Sequence, residues 1–155
     1  MADAASVSIQ ATVLPDEIAK TFAGTMTVTH DDANDKWYYK LTSVTTTSAD
    51  LIAGNFTDYT AVDQDTAPTA VNTADKVKFL FIQNTSTTDG IVICLDGGTA
   101  ANDLADGIFI GPSETFCARL PNVTVANLHA ISSDIADAGD ASATAIVCAL
   151  LDDVG

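Results

Sequence analysis

The residues best suited to chemistry in this chain are its two histidines and three cysteines. His30 opens the run HDDANDK, where Asp31, Asp32 and Asp35 follow it. Imidazole and carboxylates together suit a divalent cation. A calcium loop, however, needs spaced oxygens, a glycine at the sharp bend and a closing Glu, and this run has neither of the last two. A solvated turn is expected there. AANDLADG, with Asp103 and Asp106, fails the same spacing. His129 in NLHAIS has the type to act as base for a Ser or Cys nucleophile, but no G-x-S-x-G elbow occurs. Cys94, Cys117 and Cys148 lie in apolar runs (IVICL, TFCAR, IVCAL), where burial disfavours the reactive thiolate. Buried thiols and a structural histidine follow. Asp96-Gly97-Gly98 and Gly111-Pro112-Ser113-Glu114 read as turns, since no Lys and helix follow them as a phosphate cradle requires. No catalytic residue, metal-ligand set or cofactor is predicted.

Trp37, Tyr38 and Tyr39 are the remaining candidates. Successive residues of a strand point to opposite faces, so three aromatics in a row cannot all enter one core. At least one is left for a neighbouring segment, a second subunit or a ligand, and Trp and Tyr suit such places because they join a large apolar area to a polar handle. A protein interface is the first functional reading of these three residues, and a sugar-binding platform the second.

These residues must be positioned by one domain. A chain of 155 residues is long enough to bury roughly two thirds of its unfolded surface without metals or disulfides. A formal charge of −15 repels nucleic acid and anionic membranes, so neither is an expected partner. With 47% apolar and 17% charged residues the chain falls on the folded side of the disorder boundary. No apolar run approaches the roughly 18 residues of a membrane span. MADAASVSIQ lacks the basic and apolar regions of a signal peptide, so synthesis in a reducing cytoplasm without encoded export is expected. The N-x-S/T triplets at Asn55, Asn84 and Asn122 then carry no weight.

Along the chain, Val7 to Val13 alternate with polar residues as a half-buried strand does. Pro15, Asp16 and Glu17 suit the first turn of a short helix that Gly24 would stop. TMTVTH (25–30) and KWYYKLTSVTTT (36–47) are predicted to pair as a hairpin across the Asp-rich turn. Signals weaken from Ser48, and 67–73 is read as the linker between an N-terminal β-rich region (1–66) and the main domain (74–155). There KVKFLFIQN is apolar on both faces in its second half and predicts a central strand. Asp89-Gly90 is predicted to turn that strand back into IVICL, Gly111-Pro112 separates IFI from TFCARL, and Pro121 is expected to end the latter. SATAIVCALL is rich in alanine, but Thr144, Ile146 and Val147 are β-branched, which favours strand. About nine short strands at this spacing predict an all-β fold, an antiparallel β-sandwich with a β-rich N-terminal arm or small sheet.

Segment order and texture add a family. VKFLFIQNTSTTDGIVICLDGG, IFIGPSETFCARL, NVTVANLHAIS and the final AIVCALL resemble the small virion structural proteins of tailed bacteriophages, over about half the chain, Lys76 to Leu151. The resemblance implies a jelly-roll-like sandwich, no enzymatic activity and assembly in many copies. It suggests a capsid decoration, or cement, protein whose partners are the major capsid protein or other virion proteins, forming a homo-oligomer such as a trimer and located in the virion. A tail or neck component is the nearest alternative, and a carbohydrate-binding module built on Trp37 to Tyr39 the alternative from a different class. No residue role transfers from the resemblance.

Overall fold

The computed structural model describes residues 4–13, 20–57, 69–100, 107–133 and 141–155. The expected helical turn at Pro15, the acidic run at Asp103 and Asp106, and part of the expected linker lie outside them. The chain divides into two compact units, Met1–Ala33 and Asn34–Gly155.

The first unit is a two-stranded antiparallel ribbon of β1 (Ala5–Val13) and β2 (Lys20–Val28). Val7 stands opposite Met26, Ile9 opposite Gly24 and Ala11 opposite Phe22, so one face is apolar. Ser6, Ser8 and Thr12 oppose Thr27, Thr25 and Thr21 on the other. This corrects the expected pairing of 25–30 with 36–47. KTFAG continues a strand rather than a helix, because Ala, Phe and Gly alternate into register with β1 and a glycine weakens a strand without ending it.

The second unit is a sandwich of two four-stranded antiparallel sheets. Its strands are β3 (Asp35–Val44), β4 (Ala49–Asp50), β5 (Lys76–Asn84), β6 (Gly90–Cys94), β7 (Ile108–Ile110), β8 (Thr115–Thr124), β9 (His129–Ser133) and β10 (Ala143–Asp152). The sheet orders are β3-β10-β5-β8 and β4-β9-β6-β7. The antiparallel pairs are therefore nested along the chain: β3 with β10, β4 with β9, β5 with β8 and β6 with β7. Eight strands paired in this way form a jelly roll, a hairpin-like ribbon rolled so that its pairs fall alternately into the two sheets.

The division expected at 67–73 therefore moves. β3 and β4 belong to the sandwich, because β3 supplies Tyr38 and Val44 to the core and lies along β10. The part of the expected linker that is described is tied down: Phe56 N donates to Thr69 O, Val71 N to Gly54 O, and the buried Asp75 carboxylate accepts from Asn72 N and Val154 N.

The core lies between the sheets. From β10 it takes Ala143, Ala145, Val147, Ala149 and Leu151, and the three small alanines share the cluster with the bulkier Ile91, Ile93 and Ile110 of the facing sheet. β5 is central, as its two apolar faces predicted. The Asp89-Gly90 turn does not return β5 onto a neighbour; β5 and β6 lie in different sheets, and so do β7 and β8. Both crossings are held by one side chain. Buried Asn84 donates from Nδ2 to the carbonyls of Asp89 (2.8 Å) and Gly111 (3.0 Å), while its Oδ1 accepts from Ser86 N. Pro121 lies within β8 instead of ending it. β8 is an edge strand with a register shift near Val77, where a residue without an amide hydrogen is tolerated.

Candidate functional site

Alternation along β3 separates the three aromatics. Tyr38 points between the sheets, fully buried, and its hydroxyl donates to Ala53 O at 3.1 Å. It fixes the segment carrying Leu51 and Ile52 over the core. Trp37 and Tyr39 lie on the opposite, outer face of the sheet. Register places them in rows that run across the four strands: Trp37–Leu150–Phe79–Arg119, then Tyr39–Cys148–Phe81–Cys117, then Leu41–Ile146–Gln83–Thr115. Trp37 leans over Leu150 to meet Phe79 edge-on, with ring centroids 6.4 Å apart, and Leu150 is buried beneath them. An indole turned onto a neighbouring ring is not a flat platform for a sugar. Tyr39 and Leu41 remain 57% and 62% exposed.

The acidic turn has a simple role in the second unit. Asp35 is buried and its carboxylate accepts from Lys78 Nζ at 2.7 Å. Asp31 and Asp32 are exposed.

The other sheet carries an arrangement that local sequence could not reveal. Asp50 of β4 stands opposite His129 of β9, which stands opposite Cys94 of β6. These residue types, in a row on one outer face, resemble the parts of a nucleophile, base and orienting acid. Their hydrogen bonds run otherwise. His129 Nε2 meets Asp50 Oδ1 at 3.1 Å, and Nδ1 lies 2.6 Å from the Gly98 carbonyl, which can only accept, so Nδ1 carries hydrogen and offers Cys94 no lone pair. The thiol instead points at Asp96 Oδ1, 2.9 Å away, and the Gly98 carbonyl. Burial, then the hydrogen bond to Asp96, pushes the Cys94 pKa up, while donation from Cys94 and from Gly98 N holds the Asp96 carboxyl below its ordinary value. Both effects keep the thiol protonated, the opposite of what a nucleophile needs.

The loop after β6 is what turns the row inward. Gly97 has φ +83°, and a Cβ there would stand 2.8 Å from Asn127 Oδ1. Its amide donates to Asn127 O at 3.1 Å, so the loop folds back over the end of β9 and presents Gly98 O to both His129 and Cys94. The row locks β4, β9 and β6 together.

Cys117 and Cys148 are half-buried on the outer face of the other sheet, and burial raises the Cys148 pKa. Comparisons with protein-family models, curated proteins and solved structures find no match. Among the described residues no helix is long and apolar enough to cross a membrane.

Proposed function

We propose that this chain is a non-enzymatic structural protein of a virion, a capsid decoration protein that joins the head in many copies and engages its neighbours through the N-terminal ribbon. The observation that carries the reading is the ribbon itself. A two-stranded hairpin is marginal in water, yet here Ile9, Val13 and Phe22 are 53%, 42% and 57% exposed on its apolar face. Both of its outer edges lack a third strand among the described residues. Such an element gains stability by adding to a neighbour's sheet or covering a neighbour's apolar surface.

Two further features support the reading. The jelly roll recurs in viral capsid domains, as it does in lectins. Among the described residues, the row with the residue types of a nucleophilic site is wired to keep its thiol protonated.

The test is the composition of purified particles. A decoration protein is present at a high, symmetry-related copy number; a few copies per particle would assign the chain to the tail or neck, and its absence would remove the virion reading. Replacing Phe22 by Asp places a charge on the ribbon's apolar face while leaving the sandwich intact. The variant should melt as the parent does and fail to join particles, whereas normal incorporation would exclude the ribbon from attachment.

A further inference from the structure

We infer that the outer face of the β3-β10-β5-β8 sheet is a two-fold interface that pairs with the same face of a second copy. Tyr39, Leu41, Ile146, Cys148, Phe81 and Cys117 form a contiguous apolar surface, because they are direct cross-strand partners or next-but-one neighbours in register. Tyr39 and Leu41 are the most exposed of them. The sandwich already buries its other face against β4-β9-β6-β7, so this second apolar face is not needed for its core.

Charge selects the occupant. The chain holds 21 Asp and Glu, yet none stands in the rows at Trp37, Tyr39 and Leu41, where Arg119 at the β8 edge is the only ionic group. A face meant for a basic partner would carry carboxylates. Two copies repel each other over the rest of their acidic surface, and these three rows, bounded on the same face by the row Asp35–Asp152–Lys76, are where they approach without opposing carboxylates. A two-fold arrangement also sets identical patches together, so the apolar match is automatic.

Size agrees with a reversible dimer. Four strands spaced about 4.8 Å apart, followed for about seven residues, give a footprint of roughly 400 Å² per copy. Two copies together then bury roughly 800 Å², below the roughly 1,200 Å² of standard interfaces and in the range of weak, transient ones. An association in the high-micromolar range is expected. The inference is independent of the virion reading, since it is tested on the isolated protein and not on particles.

Sedimentation of the full chain across the micromolar range should show a monomer–dimer equilibrium. Leu41→Glu and, separately, Tyr39→Glu put a carboxylate on each side of the two-fold contact and should weaken it about a hundredfold, with unchanged circular dichroism and thermal melting of the monomer. In the parent, a short bismaleimide should join Cys148 or Cys117 of one copy to either residue of the other, and Leu41→Glu should abolish this. If copies instead paired edge to edge through β3, the Cys148 Cα atoms would lie about 14 Å apart across three strand spacings, and the short reagent would not join them. A parent that stays monomeric throughout overturns the inference. So does a dimer that survives both substitutions, or one that forms without the cross-link.

Discussion

The buried amide of Asn84 donates to the carbonyl of Gly111, 27 residues further on, at 3.0 Å. With its bond to Asp89 O, this ties together two of the places where the chain leaves one sheet for the other, β5 to β6 and β7 to β8. Asn84→Leu would leave both carbonyls without this donor, and Asn84→Asp would aim a carboxylate at them. Gly111 O keeps the amide of Glu114 while Asp89 O loses its donor, and an unsatisfied buried group costs about 1–3 kcal/mol, so either substitution should lower stability by roughly that amount. Urea titration should show the midpoint falling with the slope unchanged, since the surface exposed on unfolding stays the same.

Tyr38→Phe keeps the ring in the core and removes only the hydroxyl that donates to Ala53 O. The expected loss is about 1 kcal/mol. Amide exchange should rise locally at Leu51 to Ala53, ahead of any change in β3.

Lys36 donates to the Asp153 carboxylate and lies 5.4 Å from the Phe56 ring centroid. The Lys36 hydrogen bond holds the Asp153 carboxyl below its ordinary value. The folded pKa lies below the unfolded one, near 3.9 for a free Asp, so the carboxylate adds stability above that value. The contribution is lost as pH falls through the lower, folded value. Melting temperatures of Lys36→Met and the parent should therefore differ most above about pH 4 and converge at lower pH. A gap that persists unchanged into strong acid would assign the effect to lost packing on Phe56.

The three thiols should react in an order set by burial and by their partners. Cys94 is 2% exposed and its pKa is raised, so alkylation in the native protein should be negligible at neutral pH. Cys117 and Cys148 should be modified first, followed by mass spectrometry of peptides. Gly97→Ala strains a residue at φ +83° and crowds Asn127, so it should loosen the loop over Cys94 and raise that thiol's rate specifically.

Much of the sandwich was legible because its strands announce themselves locally. Phe79 and Phe81 alternate with Leu80 and Ile82, Thr144, Ile146 and Val147 are β-branched, and both segments are strands. A register shift turns Val77 to the core beside Leu80 and Ile82 and away from the face of Phe79 and Phe81. Pairing was the illegible part. Nothing near Trp37 says that Leu150 will lie beside it, and Asp89-Gly90 has the composition of a hairpin turn although the chain there crosses between sheets. β2 was misread because KTFAG has helix formers and a glycine, and only its register with β1 resolves the ambiguity. Tyr38 and Tyr39 could be assigned to opposite faces from alternation alone, but which face was the core depended on β10. The Asp50–His129–Cys94 row was invisible for the same reason, since three strands distant in sequence meet there.

The nested pairing has a consequence for the protein while it is being made. β10 lies between β3 and β5, so the principal sheet has a missing centre until Ala143–Asp152 leaves the ribosome. The sheet β4-β9-β6-β7 and the pair β5 with β8 can close beforehand, and β3 must wait through most of translation for its partner. Non-local pairing of this kind is slow and leaves apolar strands open in the meantime. Release of a chain stopped before Ala143 should yield aggregate, and a nascent chain should depend on chaperones up to that point and lose the dependence soon after it.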